Sequence, residues 1–192
     1  MTQRPARFGP ALALACITGT LLLGSAASGR AERDRPPPAH TGGFSEPLCT
    51  ECHFQADVNT GDGTLTVDGL PLEYEPGRAY MLDITMAQAR LAAGGFQMSA
   101  RFTDGTQAGT LMAADDDATR VAVTTSAGVQ YIHHVYAGSH AVAPDTARWQ
   151  VVWTAPASGE VVFHVAANAG DDDESPMGDM IYAASLRTAP GK

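Results

Sequence analysis

The sequence predicts an all-β protein built as an antiparallel β-sandwich. From residue 63 onward, short runs of β-branched and aromatic residues are separated by Gly, Asp and Pro, which is typical of strands joined by turns. Side chains alternate within these runs, so that Trp149, Val151 and Trp153 would share one face of a strand. Turn signals recur at a spacing that favours two packed sheets.

In chain order, the pattern predicts strands over residues 63–68, 79–86, 95–102, 109–113, 120–124, 129–136, 147–154, 160–167 and 179–186. Few stretches favour a helix, and Met86–Ala93 is the best of them. Trp149 and Trp153 are predicted to lie in the core because both fall on the apolar side of their strand.

The N-terminus has the layout of a secretory signal peptide, which we place at residues 1–31. Arg4 and Arg7 precede an apolar run from Ala11 to Leu23, and small residues follow. This run is shorter than the roughly 20 residues of a membrane-spanning helix. We therefore expect a periplasmic or secreted protein with no permanent transmembrane anchor after cleavage. Residues 32–40 are charged and then proline-rich, which predicts a flexible linker before a domain at residues 41–188.

Composition excludes several classes of function. The chain carries 12 Lys and Arg against 21 Asp and Glu, a formal net charge of -9, so nucleic acid is an unfavourable partner and a basic protein or a cation is a better one. No Ser-His-Asp order, paired-carboxylate motif or phosphate-binding glycine loop stands out, and we expect no enzyme activity. Of the three cysteines, Cys16 lies in the signal peptide, which leaves Cys49 and Cys52.

These two cysteines belong to the stretch "LCTECHF" at residues 48–54, where Cys49, Cys52 and His53 have C-x-x-C-H spacing. Attachment of a c-type haem needs two thiols that add to the vinyl groups, followed at once by a histidine that reaches the iron. The export signal agrees, because this attachment takes place outside the bacterial cytoplasm. The motif therefore predicts one covalent haem c, with thioethers from Cys49 and Cys52 and His53 as the proximal iron ligand.

Three other interpretations of the motif stay open. Cys49, Cys52 and His53 could bind zinc together with His40. The two thiols could form a redox-active dithiol of the thioredoxin type, although such motifs open a helix in an α/β fold. They could also form a local disulfide in an oxidising compartment.

Residues 41–188 resemble the bacterial Reeler-like domains of "choice-of-anchor V" proteins. The resemblance rests on "TGGFSEPLCTECH", "LPLEYEPGRAYML", "GGFQMSARF", "YIHHVYAG", "RWQVVWTAPASGEVVFHVAANA" and "GDMIYAASL". It implies an immunoglobulin-like (Reeler-like) β-sandwich, often preceded in bacterial members by a C-x-x-C-H segment.

The sixth iron ligand has several candidates in the sequence, namely Met98, Met177, His40, His133, His134, His140 and His164, or an open position. On a strand, the consecutive residues His133 and His134 point to opposite faces, so one of them at most faces a haem. The resemblance favours His134, because Reeler-like domains commonly have an aromatic-x-x-His pattern here, matched by Tyr131 and His134. Met98 and His133 are the main rivals.

The predicted function is single-electron transfer by an exported monohaem c-type cytochrome-like protein, with an unidentified redox partner protein. The alternative is a non-redox extracellular binding or adhesion module. In that case the acidic loops could bind calcium, since clustered carboxylates suit this cation. These loops contain Asp115, Asp116, Asp117, Asp171, Asp172, Asp173, Glu174 and Asp179.

Overall fold

The computed structural model describes residue 1, residues 34–54 and residues 57–192. Apart from residue 1, the predicted signal peptide lies outside the described residues. Within them, ten strands confirm the all-β prediction: β1 (Thr64–Asp68), β2 (Glu73–Tyr74), β3 (Ala79–Ala87), β4 (Ala93–Phe102), β5 (Thr110–Ala113), β6 (Val121–Ser126), β7 (Val129–His134), β8 (Thr146–Thr154), β9 (Val161–Gly170) and β10 (Met180–Pro190). Three short 3-10 helices span Cys49–Glu51, Asp115–Asp117 and Tyr136–Gly138.

The strands form two sheets, as the sandwich prediction requires. The first sheet has the order β1-β3-β8-β5, and the second has the order β2-β10-β9-β4-β7-β6. Neighbouring strands are antiparallel, except that β2 runs parallel to the end of β10. The long pairings β3 with β8 and β4 with β9 form the centre of each sheet.

The core lies between the two sheets and is filled by aromatic rings. Trp149 and Trp153 are both 0% exposed, which confirms their predicted place in the core. The ring of Trp153 meets that of Phe163 edge to face, with centroids 5.0 Å apart. Each indole N–H donates to a backbone carbonyl, Trp149 to Gly138 at 2.7 Å and Trp153 to Ala108 at 3.1 Å. Both rings are therefore buried without losing a hydrogen bond.

The prediction of a helix over Met86–Ala93 is wrong. Strand β3 continues to Ala87, and β4 begins at Ala93. Asp145, from a distant loop, holds the turn between them: its carbonyl accepts from Gln88 at 3.0 Å and its carboxylate accepts from the Arg90 amide at 2.6 Å. Arg90 has φ +68°, a left-handed value that a helix excludes. The helix-forming residues are thus overridden by a tertiary contact.

Other differences concern strand limits and one short strand: β9 and β10 run to Gly170 and Pro190 rather than to residues 167 and 186. β7 stops at His134, two residues before the predicted end, and the 3-10 helix Tyr136–Gly138 follows. β2 was not predicted, because two residues are too few to show an alternating pattern.

An N-terminal segment, residues 36–48, crosses the outer face of the second sheet. The side-chain amide of buried Gln97 on β4 accepts from the His40 backbone at 2.7 Å and donates to the Pro37 carbonyl at 2.9 Å. Further along, Glu46 pairs with Arg101 of β4 and accepts from the Tyr131 hydroxyl of β7 at 2.5 Å. These contacts fix where the following cysteine motif lies. That residues 32–40 form a flexible linker stays a prediction.

Across the described part of the chain, no helix is long and apolar enough to span a membrane.

Candidate functional site

The C-x-x-C-H motif forms a single tight turn. The backbone of Cys49–Glu51 is a 3-10 helix, and the carbonyl of Cys49 accepts from the amides of Cys52 at 3.1 Å and His53 at 3.0 Å. Both thiols and the imidazole are thus presented by five consecutive residues. Cys49 and Cys52 are free thiols that are partly buried. Burial raises the pKa of the Cys49 thiol to about 12, which keeps it protonated at neutral pH.

The histidine of this turn is held from the far end of the chain. Nδ1 of His53 lies 2.5 Å from Oδ2 of Asp179, a residue 126 positions later in the sequence. The side chains of the pair are only 13% and 7% exposed. The amide of Asn168 on β9 donates to the same carboxylate oxygen at 3.2 Å. Backbone pairing of Phe54 with Pro176, at 2.9 Å, fixes the end of the turn.

His134 lies where the ladder between β4 and β7 ends. The paired residues of these strands are Gln97 with His133 and Met98 with Ile132. One step further, the imidazole of His134 lies beside β4, with Nδ1 3.0 Å from the Phe96 amide and 3.3 Å from the Phe96 carbonyl. Burial lowers the pKa of His134 to about 4, although the Phe96 contact opposes the shift. The imidazole is therefore neutral at pH 7, the form that binds metals.

Glycine makes room for this imidazole. A Cβ at Gly95 would lie 2.6 Å from Cε1 of His134, closer than real contacts allow. A Cβ at the neighbouring Gly94 would lie 2.7 Å from the Cβ of Ala147, on the core side of the strand. Two consecutive glycines within a strand pattern indicate close approach of another group, so this feature was visible in "GGF".

One cleft brings together the predicted site residues: Cys49, Cys52, His53 and His134 all line it. Its floor is the start of β4, its sides include Pro36, Pro37, Phe96 and Asn168, and the loop from Asp172 to Ser175 forms part of the rim. The cavity has a volume of about 110 Å³ and opens to solvent at its mouth.

The main rivals of His134 lie elsewhere. Met98 is completely buried in the core between the sheets. His133 is 1% exposed, and both of its ring nitrogens are engaged, Nε2 with Thr124 at 2.9 Å and Nδ1 with the His134 carbonyl at 2.7 Å. The two consecutive histidines therefore have different surroundings, as the strand geometry predicts.

The other candidates differ in their distance from the cleft. His40 lines it, but its ring lies 3.0 Å from the Pro38 carbonyl and 3.2 Å from Glu51. His164 packs against Phe44, and His140 packs against Tyr136. Met177 is 56% exposed.

The acidic residues considered for calcium have separate surroundings. Asp117 pairs with Arg120 at 2.6 Å and accepts from the Gln150 amide at 2.6 Å, so it supports the fold. Asp172, Asp173 and Glu174 lie at the rim of the cleft, and Asp179 faces His53. Among the described residues, no three His, Cys, Asp or Glu side chains are grouped as ligands of a metal ion would be. A haem iron needs only axial ligands from the protein, because the porphyrin occupies the other positions.

Sequence reasoning missed the residues that hold the site together. Asp179 was noted as a possible calcium ligand, and nothing in the sequence connected it to His53. Asn168, Gln97 and Glu46 were not singled out, since each is a single polar residue in an apolar or turn-forming stretch. The partners of Asp179, Gln97 and Glu46 lie 55 to 126 positions away, beyond the reach of local patterns. Asn168 lies 11 positions from Asp179 and 115 from His53.

The fold and the site together define an antiparallel β-sandwich with a cleft beside one sheet. A C-x-x-C-H turn lines this cleft. The structure is similar to the Reelin-N domain of F-spondin, with 19% identity and a TM-score of 0.45, covering 75% of this chain and 96% of that one. It is also similar to the human F-spondin reeler domain, with 20% identity and a TM-score of 0.42, covering 72% of this chain and 95% of that one. A third similar structure is a cohesin module from a Clostridium perfringens family 33 glycoside hydrolase. Its sequence identity is 13% and its TM-score 0.43, and the match covers 68% of this chain and 96% of that one. No protein-family model matches the chain, and no curated protein matches it in sequence.

Proposed function

We propose that the chain is an exported monohaem c-type cytochrome-like protein that transfers single electrons, in which Cys49 and Cys52 would hold the haem and His53 and His134 would bind its iron. The observation that carries the proposal is that the two thiols, the histidine of the motif and one further buried histidine all line the same cleft. The sequence pattern alone explains three of these residues, and the fold adds the fourth from β7.

The surroundings of the cleft support a flat, largely apolar group. Pro36, Pro37 and Ala93 line the cleft with apolar groups, and Gly95 keeps a side chain out of the space beside His134. Nδ1 of His134 is engaged with the Phe96 backbone, and Nδ1 of His53 with Asp179. Nε2 of His53 is then the nitrogen on the side of a metal, and Nε2 of His134 is available in the tautomer whose Nδ1–H donates to the Phe96 carbonyl at 3.3 Å.

A bound haem would supply a one-electron Fe(III)/Fe(II) couple, which accepts an electron from a reduced partner protein and passes it to an oxidised one. The protein's contribution is to fix the two imidazoles, so that little rearrangement accompanies the change of charge. Two imidazole ligands give a lower potential than a histidine and a methionine.

The first experiment tests attachment. The full chain is produced together with c-type maturation machinery, and the purified protein is examined by mass spectrometry and by absorption after denaturation. We expect a mass increase of one haem and a haem spectrum that stays with the unfolded chain. The double variant Cys49→Ser/Cys52→Ser should lack both. Wild-type protein without covalent haem would reject the proposal and favour the alternative, a non-redox binding module with acidic loops.

The second experiment tests the distal ligand. His134→Ala should convert a low-spin haem spectrum into a high-spin one, since one axial nitrogen is lost. His140→Ala is the matched control, because His140 is an exposed histidine outside the cleft lining. An unchanged low-spin spectrum in His134→Ala would exclude this residue as the ligand.

A further inference from the structure

The contact between Asp179 and His53 has no role in attaching a haem, since attachment uses the two thiols. Asp179 is 6% exposed, and a buried carboxylate is costly unless its charge is compensated. The donors around it come from His53 and Asn168, and both lie in the wall of the cleft. The carboxylate is thus placed where it acts on the imidazole of the motif.

The backbone around Asp179 is shaped to hold this carboxylate. A Cβ at Gly170, the last residue of β9, would lie 2.7 Å from Oδ1 of Asp179, so the strand end must be free of a side chain there. The amide of Asn168, two residues earlier, holds Oδ2 from the same strand. Two positions of β9 therefore fix the carboxylate before any ligand enters the cleft.

We infer that Asp179 is a positioning residue that fixes His53 with its proton on Nδ1 and its lone pair on Nε2, which the Asn168 amide approaches at 3.4 Å, and that it lowers the reduction potential of the bound haem. This inference rests on the proposed function. An ionised carboxylate only accepts hydrogen bonds, so the proton between the two groups belongs to Nδ1. A carboxylate partner also makes Nε2 a stronger donor.

The sign of the effect on the potential follows from charge. A stronger imidazole donor and a nearby buried negative charge both stabilise Fe(III) relative to Fe(II). Charge-assisted hydrogen bonds are roughly twice as strong as neutral ones. Asp179→Asn keeps the shape of the side chain but removes both the charge and the requirement for a proton on Nδ1, because an asparagine amide also donates hydrogen bonds.

The experiment compares the reduction potentials of haem-loaded wild type, Asp179→Asn and Glu174→Gln. Glu174→Gln is the matched control, since it removes an exposed carboxylate from the rim of the same cleft. We expect Asp179→Asn to increase the equilibrium constant for haem reduction by about tenfold, or about 59 mV for one electron. Glu174→Gln should change it far less. Equal shifts in the two variants would overturn the inference.

A second measurement does not depend on haem or on a variant that folds. Nitrogen-15 NMR of the metal-free wild type, at a pH where the imidazole is neutral, should show that His53 is protonated on Nδ1 and unprotonated on Nε2. The opposite tautomer would overturn the inference. If this tautomer is found but wild type takes up no haem, the positioning by Asp179 stands and the proposed function fails.

Discussion

The Phe96 amide lies 3.0 Å from Nδ1 of His134, at the point where the backbone pairing of β4 and β7 has ended. The imidazole thus continues the ladder in place of a backbone carbonyl. As an acceptor, Nδ1 satisfies the buried Phe96 N–H group, which would otherwise cost about 1–3 kcal/mol, and the proton of the neutral ring is then on Nε2. Binding of a metal through Nε2 requires the other tautomer, in which Nδ1–H donates to the Phe96 carbonyl at 3.3 Å.

The space for this ring predicts the effect of Gly95→Ala. The added Cβ would lie 2.6 Å from Cε1 of His134, so either the ring or the strand must move. We expect the free energy of unfolding to fall by about 1–3 kcal/mol, as measured by urea denaturation. In the haem-loaded protein, the low-spin spectrum should weaken.

Gly191→Ala is the control for this substitution. A Cβ there would meet its nearest atom at 3.7 Å, which is ordinary contact. Its stability should stay within about 0.5 kcal/mol of wild type. Equal stability of the Gly95 and Gly191 variants would show that the strand absorbs the clash and that His134 is not confined.

Glu46→Ala should be strongly destabilising. Arg101 is 5% exposed, and removal of its partner leaves a buried charge uncompensated. We expect a loss of about 3–5 kcal/mol in the free energy of unfolding. The control is Glu160→Ala, whose partner Arg187 is 63% exposed and which should cost less than about 1 kcal/mol. Similar losses in the two variants would contradict a buried role for Glu46.

The hydrogen bonds of Glu46 also predict how the stability of the protein depends on pH. Burial alone would raise the pKa of Glu46, but hydrogen bonds from Tyr131, Thr41 and Arg101 lower it below the ordinary value of 4.5. The folded protein therefore binds this proton less readily than the unfolded chain does. The stabilisation by Glu46 is present above pH 4.5 and is lost as the pH falls through the folded pKa.

Glu46→Gln tests this dependence, since glutamine resembles the protonated acid. Urea midpoints of wild type and variant should differ near neutral pH and converge in acid. A difference that is constant at all pH values would show that Glu46 does not titrate with a lowered pKa.

At the alkaline end, burial and the bond to Glu46 raise the pKa of Tyr131 from 10.0 to about 12. The folded state retains this proton more firmly than the unfolded chain. Stability from Tyr131 is therefore present below pH 10 and is lost as the pH rises towards 12. Tyr131→Phe should lose this alkaline decline in its urea midpoint, while the decline in acid remains.

Gln97→Ala should release the start of the N-terminal segment. The side chain of Gln97 accepts from the His40 amide at 2.7 Å, and a net hydrogen bond is worth about 1 kcal/mol. Hydrogen exchange at the His40 amide should therefore accelerate at least about fivefold. Gln107→Ala is a reciprocal control, because Gln107 holds the Gln130 amide at 2.7 Å in another part of the fold. Each variant should accelerate its own amide, and acceleration of both amides by either variant would indicate general loosening.

The sequence predicted most of the fold because strand alternation is a local signal. Trp149, Val151 and Trp153 show it directly, and β8 covers the predicted residues. The failures occurred where a distant residue decides the local structure, as Asp145 does at Arg90. The local sequence of Met86–Ala93 does not show that contact, so the helix prediction could not include it.

The residues of the candidate site also fall into those that a local pattern predicts and those that depend on distant contacts. The spacing of Cys49, Cys52 and His53 is local and was legible in the sequence. His134 was selected by a resemblance rather than by its own environment, since both faces of its strand are apolar. The bond from Asp179 to His53 depends on how β9 and β10 bring the end of the chain beside its beginning, and no periodicity records it.

The turn at Cys49 also bears on the order in which the molecule assembles. The pairing of Phe54 with Pro176 joins it to a distant segment, whereas its internal hydrogen bonds join residues three or four positions apart. Local contacts of this kind form much faster than contacts between distant segments. Asp179 lies 126 positions after His53 and immediately precedes β10, so the partner of His53 is made long after the motif when synthesis proceeds from the N-terminus. On the nascent chain the motif therefore lacks this partner, and the docking of β10 beside β9 supplies it.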